Sequence, residues 1–295
     1  MKIEGPLFAI VTPFEDNGDI CFSALTEYLE FLNSHDVENI VVNGTTGEFA
    51  SLTLDERMAV LERCRESFKG KIISHVSACA VKDTLQLLGH SRQFADAVLI
   101  LPPFYYAEVS ASGIYTFFEE ILSRCEIPAF LYNFPRHAKN RVTPEMLRDL
   151  KRRFDCLRGI KDSGGDFSIS RQFKSSADDL QVFVGGDRLA IQVLEAGLDG
   201  SVTGGGNPLP ECLTGIYRSF SHNDEKGARK WQDLLDLWTD FRKTAGLAEI
   251  PVVKAGLRSR LKGFPLYSRP PFSAPSREAT EEVSSFIVNK VLPRL

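Results

Sequence analysis

The sequence predicts a (β/α)8 barrel, the TIM-barrel fold, followed by a C-terminal helical extension. Eight short, β-branched apolar runs alternate with longer segments of helical periodicity over residues 1–223. Nearly continuous apolar strands that alternate with helices are typical of a parallel sheet covered by helices. An open, doubly wound sheet is the rival fold, but no G-x-G-x-x-G fingerprint follows the first apolar run. The closed barrel is therefore favoured.

The predicted strands are the eight apolar runs, which are bounded by polar, glycine or proline residues. In chain order they are Leu7–Val11, Asn39–Asn43, Lys71–His75, Ala95–Ile100, Pro128–Tyr132, Leu157–Lys161, Gln181–Gly185 and Gly200–Thr203. Their apolar character predicts that both faces of each strand are buried, as expected for a barrel.

Apolar residues at spacings of three and four predict helices between the strands. The clearest such segments are Phe22–Ser34, Leu54–Phe68, Ser110–Arg124, Glu145–Arg153 and Asp187–Ala196. Thr143 is expected to cap the fourth of these helices, with Pro144 at its first position. Residues 1–223 are expected to form the barrel. Residues 224–295, with three further helical segments, are expected to pack on it within one structural unit.

Composition and charge exclude several classes of protein. Of the 295 residues, 43% are hydrophobic and 25% are charged, which is ordinary for a globular chain and argues against disorder. Lys and Arg number 35 against 39 Asp and Glu, so no basic excess indicates nucleic-acid binding. The short, proline-broken N-terminal apolar run predicts neither a signal peptide nor a membrane span.

The six cysteines form no CxxC pair and no zinc-binding spacing. Free thiols in a reducing compartment are the expectation, so a cytoplasmic location is predicted. The five histidines are scattered, and their spacing predicts no metal site.

Polar residues follow several of the predicted strands at the end where barrel enzymes place their active sites. Candidate positions at this rim are Gly44–Glu48, Tyr132, Lys161, Gly185–Asp187 and Thr203–Asn207. Glycines, hydroxyls and ionisable groups are therefore expected to converge on one edge of the barrel.

Lys161 is the strongest of these candidates for a catalytic residue. Side chains alternate along a strand, so if Ile160 faces the helices, Lys161 faces the barrel axis. Removal from water favours the neutral amine, which attacks ketones. The alternative is a strand-end lysine that reaches solvent or pairs with Asp162. Tyr132 ends the preceding strand and can shuttle protons, although a structural core tyrosine is the other interpretation.

The segment Gly44–Gly47 offers two hydroxyls, from Thr45 and Thr46, and backbone amides in a glycine-permitted turn. Such a turn suits the binding of a carboxylate. An ordinary strand-to-helix connection is an equally good interpretation of the same residues.

Three motifs together resemble the dihydrodipicolinate synthase / N-acetylneuraminate lyase family. They are G-T-T-G-E at 44–48, Y-N-F-P at 132–135 and G-I-K-D-S at 159–163. Val11–Phe14, Pro251–Lys254 and Arg269–Pro271 are also similar to family positions, so the resemblance covers essentially the whole chain.

The resemblance implies a class I, Schiff-base-forming lyase that needs no metal or organic cofactor. Lys161 would form the imine with pyruvate, Tyr132 would be the acid/base, and Thr45 would relay protons. The implied substrate-binding residues are Thr46, Gly47, Gly185, Asp187 and Thr203. Tyr106 would serve the neighbouring subunit's site in a homotetramer built as a dimer of dimers. The implied partners are pyruvate and an aldehyde.

The three motifs indicate the family more specifically than they indicate the aldehyde. Synthases of the family usually place an arginine where this chain has His137, and Arg136 lies one residue earlier. The segments Gly197–Gly200 and Gly206–Glu211 are similar to the 2-keto-3-deoxygluconate aldolase branch, so a 2-keto-3-deoxy sugar acid is favoured. The alternatives are dihydrodipicolinate synthase, N-acetylneuraminate lyase, a 2-oxo acid dehydratase and a non-catalytic 2-oxo acid sensor.

Overall fold

The computed structural model describes residues 2–295, and its strands form one closed, parallel barrel. The strands are β1 (Leu7–Ala9), β2 (Asn39–Val42), β3 (Lys71–His75), β4 (Ala97–Ile100), β5 (Ala129–Asn133), β6 (Leu157–Asp162), β7 (Gln181–Gly185) and β8 (Gly200–Thr203). Neighbours in sequence pair with each other, and β1 pairs with β8 to close the sheet. The predicted (β/α)8 barrel is confirmed, and every predicted strand overlaps an observed one.

Twelve α-helices lie in the described part of the chain. They are α1 (Phe22–Ser34), α2 (Leu54–Ser67), α3 (Val81–Phe94), α4 (Ala111–Leu122), α5 (Pro135–Ala138), α6 (Pro144–Arg153), α7 (Phe167–Lys174), α8 (Ala190–Glu195), α9 (Pro210–Ser221), α10 (Glu225–Thr244), α11 (Glu249–Arg260) and α12 (Arg277–Phe286). The predicted cap is present, since Thr143 Oγ1 accepts a hydrogen bond from the Met146 amide at 3.2 Å.

Several of these helices lack a strong sequence signal. Helix α3 follows Ala80, which provides no side-chain cap, and carries Gly89 in its interior, so both its start and its propensity are weak. Helix α7 has only eight residues. The segment Asp187–Ala196, predicted as one helix, is a 3₁₀ turn at Asp187–Leu189 followed by α8.

The strand side chains divide into two apolar layers. Those that point outwards pack beneath the helices, and Ile160 is one of them. Those that point inwards fill the barrel, where the rings of Phe130 and Phe183 meet edge to face with centroids 5.6 Å apart. Ile3, which precedes β1 and is 1% exposed, joins this inner layer at the amino-terminal end of the strands. The packed interior therefore leaves only the opposite end open.

The C-terminal helices pack on the barrel beside that open end. Helix α10 lies against α9, and the Trp238 indole donates a hydrogen bond to the Gly205 carbonyl at 2.8 Å. Tyr267, beyond α11, forms a β-bridge with Phe14 in the loop after β1. The extension thus contacts loops that follow two adjacent strands, β1 and β8.

Two further expectations concern thiols and membranes. The six cysteines are unpaired, and most are buried, although Cys79 is exposed on the loop before α3. Among residues 2–295, no helix has both the length and the apolar character that crossing a membrane requires.

Candidate active site

A cavity of about 760 Å³ lies at the carboxyl ends of the strands. Six of the residues predicted for the site line it: Thr45, Thr46, Tyr132, Lys161, Gly185 and Asp187. They come from four different strand ends, as expected for an active site of this fold.

Lys161 lies at the base of the cavity and is 6% exposed. Its strand β6 places Ile160 under the outer helices, so the Lys161 side chain points into the barrel. Below it are apolar inner-layer side chains, including Val41 and Phe183. The amine is thus held among apolar side chains and faces the cavity, where it can act as a nucleophile on a bound ketone.

Tyr132 is the neighbour of Lys161 on β5. The two residues are paired in register across the strands, and the Lys161 Nζ lies 4.2 Å from the centroid of the Tyr132 ring. The ring is 2% exposed, with Phe134 stacked at 5.6 Å and His75 edge-on at 6.0 Å. A phenol and an amine are therefore held side by side in a packed setting.

The turn at Gly44–Gly47 follows β2 and faces the same cavity. The Gly47 amide donates to the Gly44 carbonyl at 3.1 Å, and the Thr12 hydroxyl donates to the Gly47 carbonyl at 2.8 Å. Within residues 2–295 the amides of Thr45 and Thr46 have no acceptor. Two backbone donors and two hydroxyls are thus available to an anion such as a carboxylate.

The glycine run after β8 allows two side chains to approach closely. A Cβ atom at Gly204 would lie 2.4 Å from Thr46 Oγ1, and one at Gly205 would lie 2.0 Å from Arg242 Cζ. The effect of this glycine run is to make room for a threonine from one side and an arginine from the other.

Asp187 is held by two partners at the upper wall of the cavity. Its Oδ1 accepts a hydrogen bond from the Thr203 hydroxyl at 2.7 Å, and its Oδ2 forms an ion pair with Arg242. The side chains of Asp187 and Arg242 are each 8% exposed. The carboxylate is therefore fixed in position, and a charged side chain of the extension lies directly beside it.

Three predicted residues do not line this cavity. Thr203 lies behind Asp187, and Gly47 is buried within the turn, where its carbonyl accepts from Thr12. Tyr106 lies on the loop between β4 and α4 and is 70% exposed. Its ring meets that of Tyr105 edge to face at 5.4 Å.

The cavity is also lined by residues that were given no role in the site from the sequence. They include Phe134, Arg136, His137 and Ser163 from the barrel loops, with Arg242, Lys243, Leu247, Glu249, Ile250 and Phe272 from the extension. The motif Tyr132–Pro135 points to its neighbours Arg136 and His137. Arg242 and Lys243 carry no such signal, because cations in the last turn of a helix are ordinary.

His137 is among the titratable groups at the cavity mouth. Burial, assisted by the positive charge of Arg136, lowers the pKa of this imidazole. The position that carries an arginine in related synthases therefore holds a side chain that favours the neutral form. In the described part of the chain, no cluster of three or more His, Cys, Asp or Glu side chains has the arrangement of a metal site.

Comparisons with known proteins show the family of this chain. Residues 2–290 match the dihydrodipicolinate synthetase family. A 2-dehydro-3-deoxy-D-gluconate/2-dehydro-3-deoxy-phosphogluconate aldolase of Picrophilus torridus is 30% identical over 73% of this chain and 81% of its own. A 4-hydroxy-tetrahydrodipicolinate synthase of Macrococcus caseolyticus is 29% identical over 80% of each chain.

A solved structure gives the same result for the fold. The 2-keto 3-deoxygluconate aldolase from Picrophilus torridus superimposes with a TM-score of 0.84 at 27% identity, covering 93% of this chain and 99% of the other. The match extends through both the barrel and the helices that follow it. The chain thus belongs to the dihydrodipicolinate synthetase family and is an enzyme of the Schiff-base aldolase/lyase type.

Proposed function

We propose that this enzyme is a class I aldolase that cleaves a 2-keto-3-deoxy sugar acid into pyruvate and an aldehyde. The observation that carries the proposal is the buried Lys161 amine, 4.2 Å from the Tyr132 ring at the base of the cavity. The Picrophilus torridus relative, with 30% identity, supports the choice of substrate class.

The reaction begins when the Lys161 amine attacks the C2 ketone and water leaves, which forms a protonated imine. The C4 hydroxyl then loses its proton to Tyr132, with Thr45 relaying protons. The C3–C4 bond breaks, its electron pair moves to the imine, and the aldehyde departs. The enamine takes up a proton at C3, and water hydrolyses the imine to release pyruvate and the free lysine. The covalent imine makes a further cofactor unnecessary.

The remaining predicted residues bind the substrate in this proposal. Thr46 and the amides of the turn that Gly47 closes hold the C1 carboxylate. Gly185 and Asp187 lie higher in the cavity and contact the hydroxyl-bearing carbons. Thr203 acts through its hydrogen bond to Asp187. A cavity of about 760 Å³ leaves room for a six-carbon sugar acid, which extends three carbons beyond its pyruvate portion.

A second candidate is the condensation of pyruvate with aspartate semialdehyde. Arg136 lines the cavity and would pair with the second carboxylate that this aldehyde brings. The 29% identical synthase of Macrococcus caseolyticus is consistent with it. The neutral tendency of His137, at the position where synthases carry arginine, favours the aldolase instead.

The assembly proposed for the enzyme is a homotetramer built as a dimer of dimers, with Tyr106 reaching the neighbouring subunit's cavity. Tyr105 and Tyr106 are 79% and 70% exposed, which leaves two aromatic rings for a partner to cover. Tyr106→Phe should slow turnover, whereas the adjacent Tyr105→Phe serves as its control. A dilute monomer with full activity in sedimentation experiments contradicts this assembly.

The function is tested by trapping and by turnover. Incubation with pyruvate and borohydride should add one reduced pyruvate, seen by intact mass, to the wild type and to the exposed-lysine control Lys262→Ala, but not to Lys161→Ala. Pyruvate release is then compared for 2-keto-3-deoxygluconate, its galactose epimer, their 6-phosphates and sialic acid. Condensation of pyruvate with aspartate semialdehyde is measured in a separate assay. Absence of an adduct overturns the proposal. An adduct without any turnover identifies a sensor instead.

A further inference from the structure

Three buried polar residues form a closed set of hydrogen bonds beneath the rim of the barrel. Asn43 Nδ2 donates to the Arg57 carbonyl at 2.8 Å, Arg57 Nη2 donates to the His75 carbonyl, and His75 Nδ1 donates to the Asn43 carbonyl at 2.9 Å. Each residue is 3% exposed or less. The ends of β2 and β3 and the start of α2 are thereby joined.

Burial of these polar groups costs folding free energy, which a purely structural role does not explain. Among residues 2–295 no carboxylate pairs with Arg57, and burial lowers its pKa to about 10. Its remaining hydrogen bond is donated to the Ser77 carbonyl at 2.8 Å, and its guanidinium lies over the Phe49 ring, with Cζ 5.4 Å from the centroid. Asn43 Oδ1, Arg57 Nε and His75 Nε2 are buried and have no partner among residues 2–295. Apolar side chains would avoid this cost, so such a cluster calls for an additional role.

The hydrogen bond to Asn43 fixes the state of the His75 ring. A carbonyl can only accept, so Nδ1 carries the proton and Nε2 does not. Burial, assisted by the charges of Arg57 and Lys161, holds the pKa of His75 well below its usual range. The ring is therefore neutral and adds no positive charge near the lysine that forms a cationic imine.

His75 contacts both groups that are proposed to transfer protons, Tyr132 and the turn that carries Thr45. Its ring stands edge-on to Tyr132 at 6.0 Å and to Phe49 at 4.5 Å. Through Nδ1 it holds the carbonyl of Asn43, the left-handed residue (φ 58°) that immediately precedes the turn carrying Thr45. Tyr132 lies on β5, whereas Thr45 follows β2. The His75 side chain contacts the Tyr132 ring and also holds the backbone next to Thr45.

We propose that His75 is a positioning residue that sets Tyr132 and the Thr45 turn for proton transfer at C3 of the imine. The proposal rests on the aldolase function given above. In the step concerned, the C3–H bond breaks and its electron pair forms the C2–C3 double bond of the enamine, while the π pair of the C2=N bond moves to the Lys161 nitrogen and cancels its positive charge. The proton passes to the Tyr132/Thr45 relay and then to water. Imine formation itself uses Lys161 and is separate from this alignment.

The test measures these two steps separately on the intact enzyme. Pyruvate in deuterated water reports C3 proton transfer through loss of its methyl proton signal, and borohydride trapping reports imine formation. His75→Phe keeps a ring beside Tyr132 but lacks the Nδ1 donor, whereas His75→Asn places an amide N–H near the Nδ1 position. His90→Phe removes a partly exposed histidine of α3 that pairs with Glu62 and is the control.

His75→Phe should trap pyruvate as fully as wild type while its exchange slows by about tenfold or more. His75→Asn should recover exchange to within about threefold of wild type, and His90→Phe should match wild type in both assays. Exchange at the wild-type rate in His75→Phe overturns the proposal. So does a loss of trapping that equals the loss of exchange, since that indicates general damage to the site.

If His75→Phe does not fold, His75→Leu provides the same decision. Leucine is apolar and smaller than phenylalanine, and it likewise lacks the Nδ1 donor that holds the Asn43 carbonyl. Slower exchange with trapping retained supports the positioning role, and unchanged exchange overturns it. A wild-type enzyme that neither traps nor exchanges pyruvate overturns the proposed function, and the positioning role falls with it.

Discussion

Lys254 and Glu48 form an ion pair in which neither side chain is accessible to solvent, with Nζ and Oε1 2.6 Å apart. Burial raises the pKa of Glu48 and lowers that of Lys254 to about 8. Lys254 also donates to the Tyr267 carbonyl at 2.8 Å. Because Glu48 follows the Thr45–Gly47 turn directly, this pair fastens the C-terminal extension to the turn proposed to bind the carboxylate.

Lys254→Met should strongly destabilise the protein. The substitution leaves the Glu48 carboxylate buried without its cation, which typically costs about 3–5 kcal/mol of unfolding free energy. Urea unfolding near neutral pH measures it. The double variant Glu48→Gln/Lys254→Met removes both charges and should recover part of that loss. A single variant as stable as wild type contradicts the assignment of this pair.

Stability should decline in acid through Glu211. Burial alone would raise the pKa of this carboxyl, but hydrogen bonds from His35 and Arg260 outweigh it and lower the pKa to about 2. Unfolding returns the pKa towards its usual value near 4.5, so the stabilisation is complete above that pH and is lost as the pH falls through 2.

Glu211→Gln is the variant that isolates this carboxyl. Relative to wild type it should lose about 2 kcal/mol at pH 6, and the difference should shrink between pH 4.5 and pH 2. The pKa of His35 is raised, with the hydrogen bond that its ring donates to Glu211 as the main cause. That contribution is present below pH 6.5 and fades as the pH rises through the folded-state value. A pH-independent difference in urea unfolding argues against this account.

Much of the fold follows from local patterns. Strands buried on both faces require continuous apolar residues, so runs such as Ala97–Ile100 stand out between polar helices. Alternation along β6 separates Ile160 from Lys161, and the parallel register then places Lys161 beside Tyr132. These relations depend on neighbours along a strand or on adjacent strands, which is why the sequence predicts them. The catalytic roles remain predictions.

Other features depend on contacts between distant segments. Arg242 is one cation among several at the end of α10, and only its packing over Gly205 brings it to Asp187. In the sequence, His75 is one of five scattered histidines whose spacing predicts no metal site. Its link to Asn43 depends on a backbone carbonyl, which no residue pattern reports.

Gly204→Ala should weaken pyruvate binding. The added Cβ would lie 2.4 Å from Thr46 Oγ1, so the Thr46 side chain must rotate away from the proposed carboxylate site. We expect the pyruvate concentration for half-maximal borohydride trapping to rise by about fivefold or more. Gly89→Ala is the control, since Gly89 lies exposed within α3 with no atom near the new methyl group. It should leave trapping unchanged and stabilise the protein by about 0.5–1 kcal/mol.

Arg242→Met should affect the sugar-acid portion of the substrate more than the pyruvate portion. The ion pair with Asp187 is nearly buried. Lys161 pairs in register with Phe183 of β7, and Asp187 follows the end of that strand, so the ion pair lies above the lysine in the cavity. Without Arg242 the carboxylate loses one of its two anchors and remains held by Thr203 alone. We therefore expect KM for the cleaved sugar acid to rise by about tenfold while half-maximal trapping by pyruvate stays the same.

A double-mutant cycle with Asp187→Asn tests whether Arg242 acts through Asp187. If it does, the effects of Asp187→Asn and Arg242→Met on KM for the sugar acid should not be additive. The coupling energy should be about 1–3 kcal/mol, as found for side chains in direct contact. Arg242→Lys keeps the charge and should show the smaller defect, because lysine lacks the guanidinium geometry that matches a carboxylate. Additive effects would mean that Arg242 contacts the substrate independently. A different result is that Arg242→Met raises the pyruvate concentration for half-maximal trapping as much as it raises KM for the sugar acid. That result would mean that the extension shapes the whole cavity rather than its upper wall.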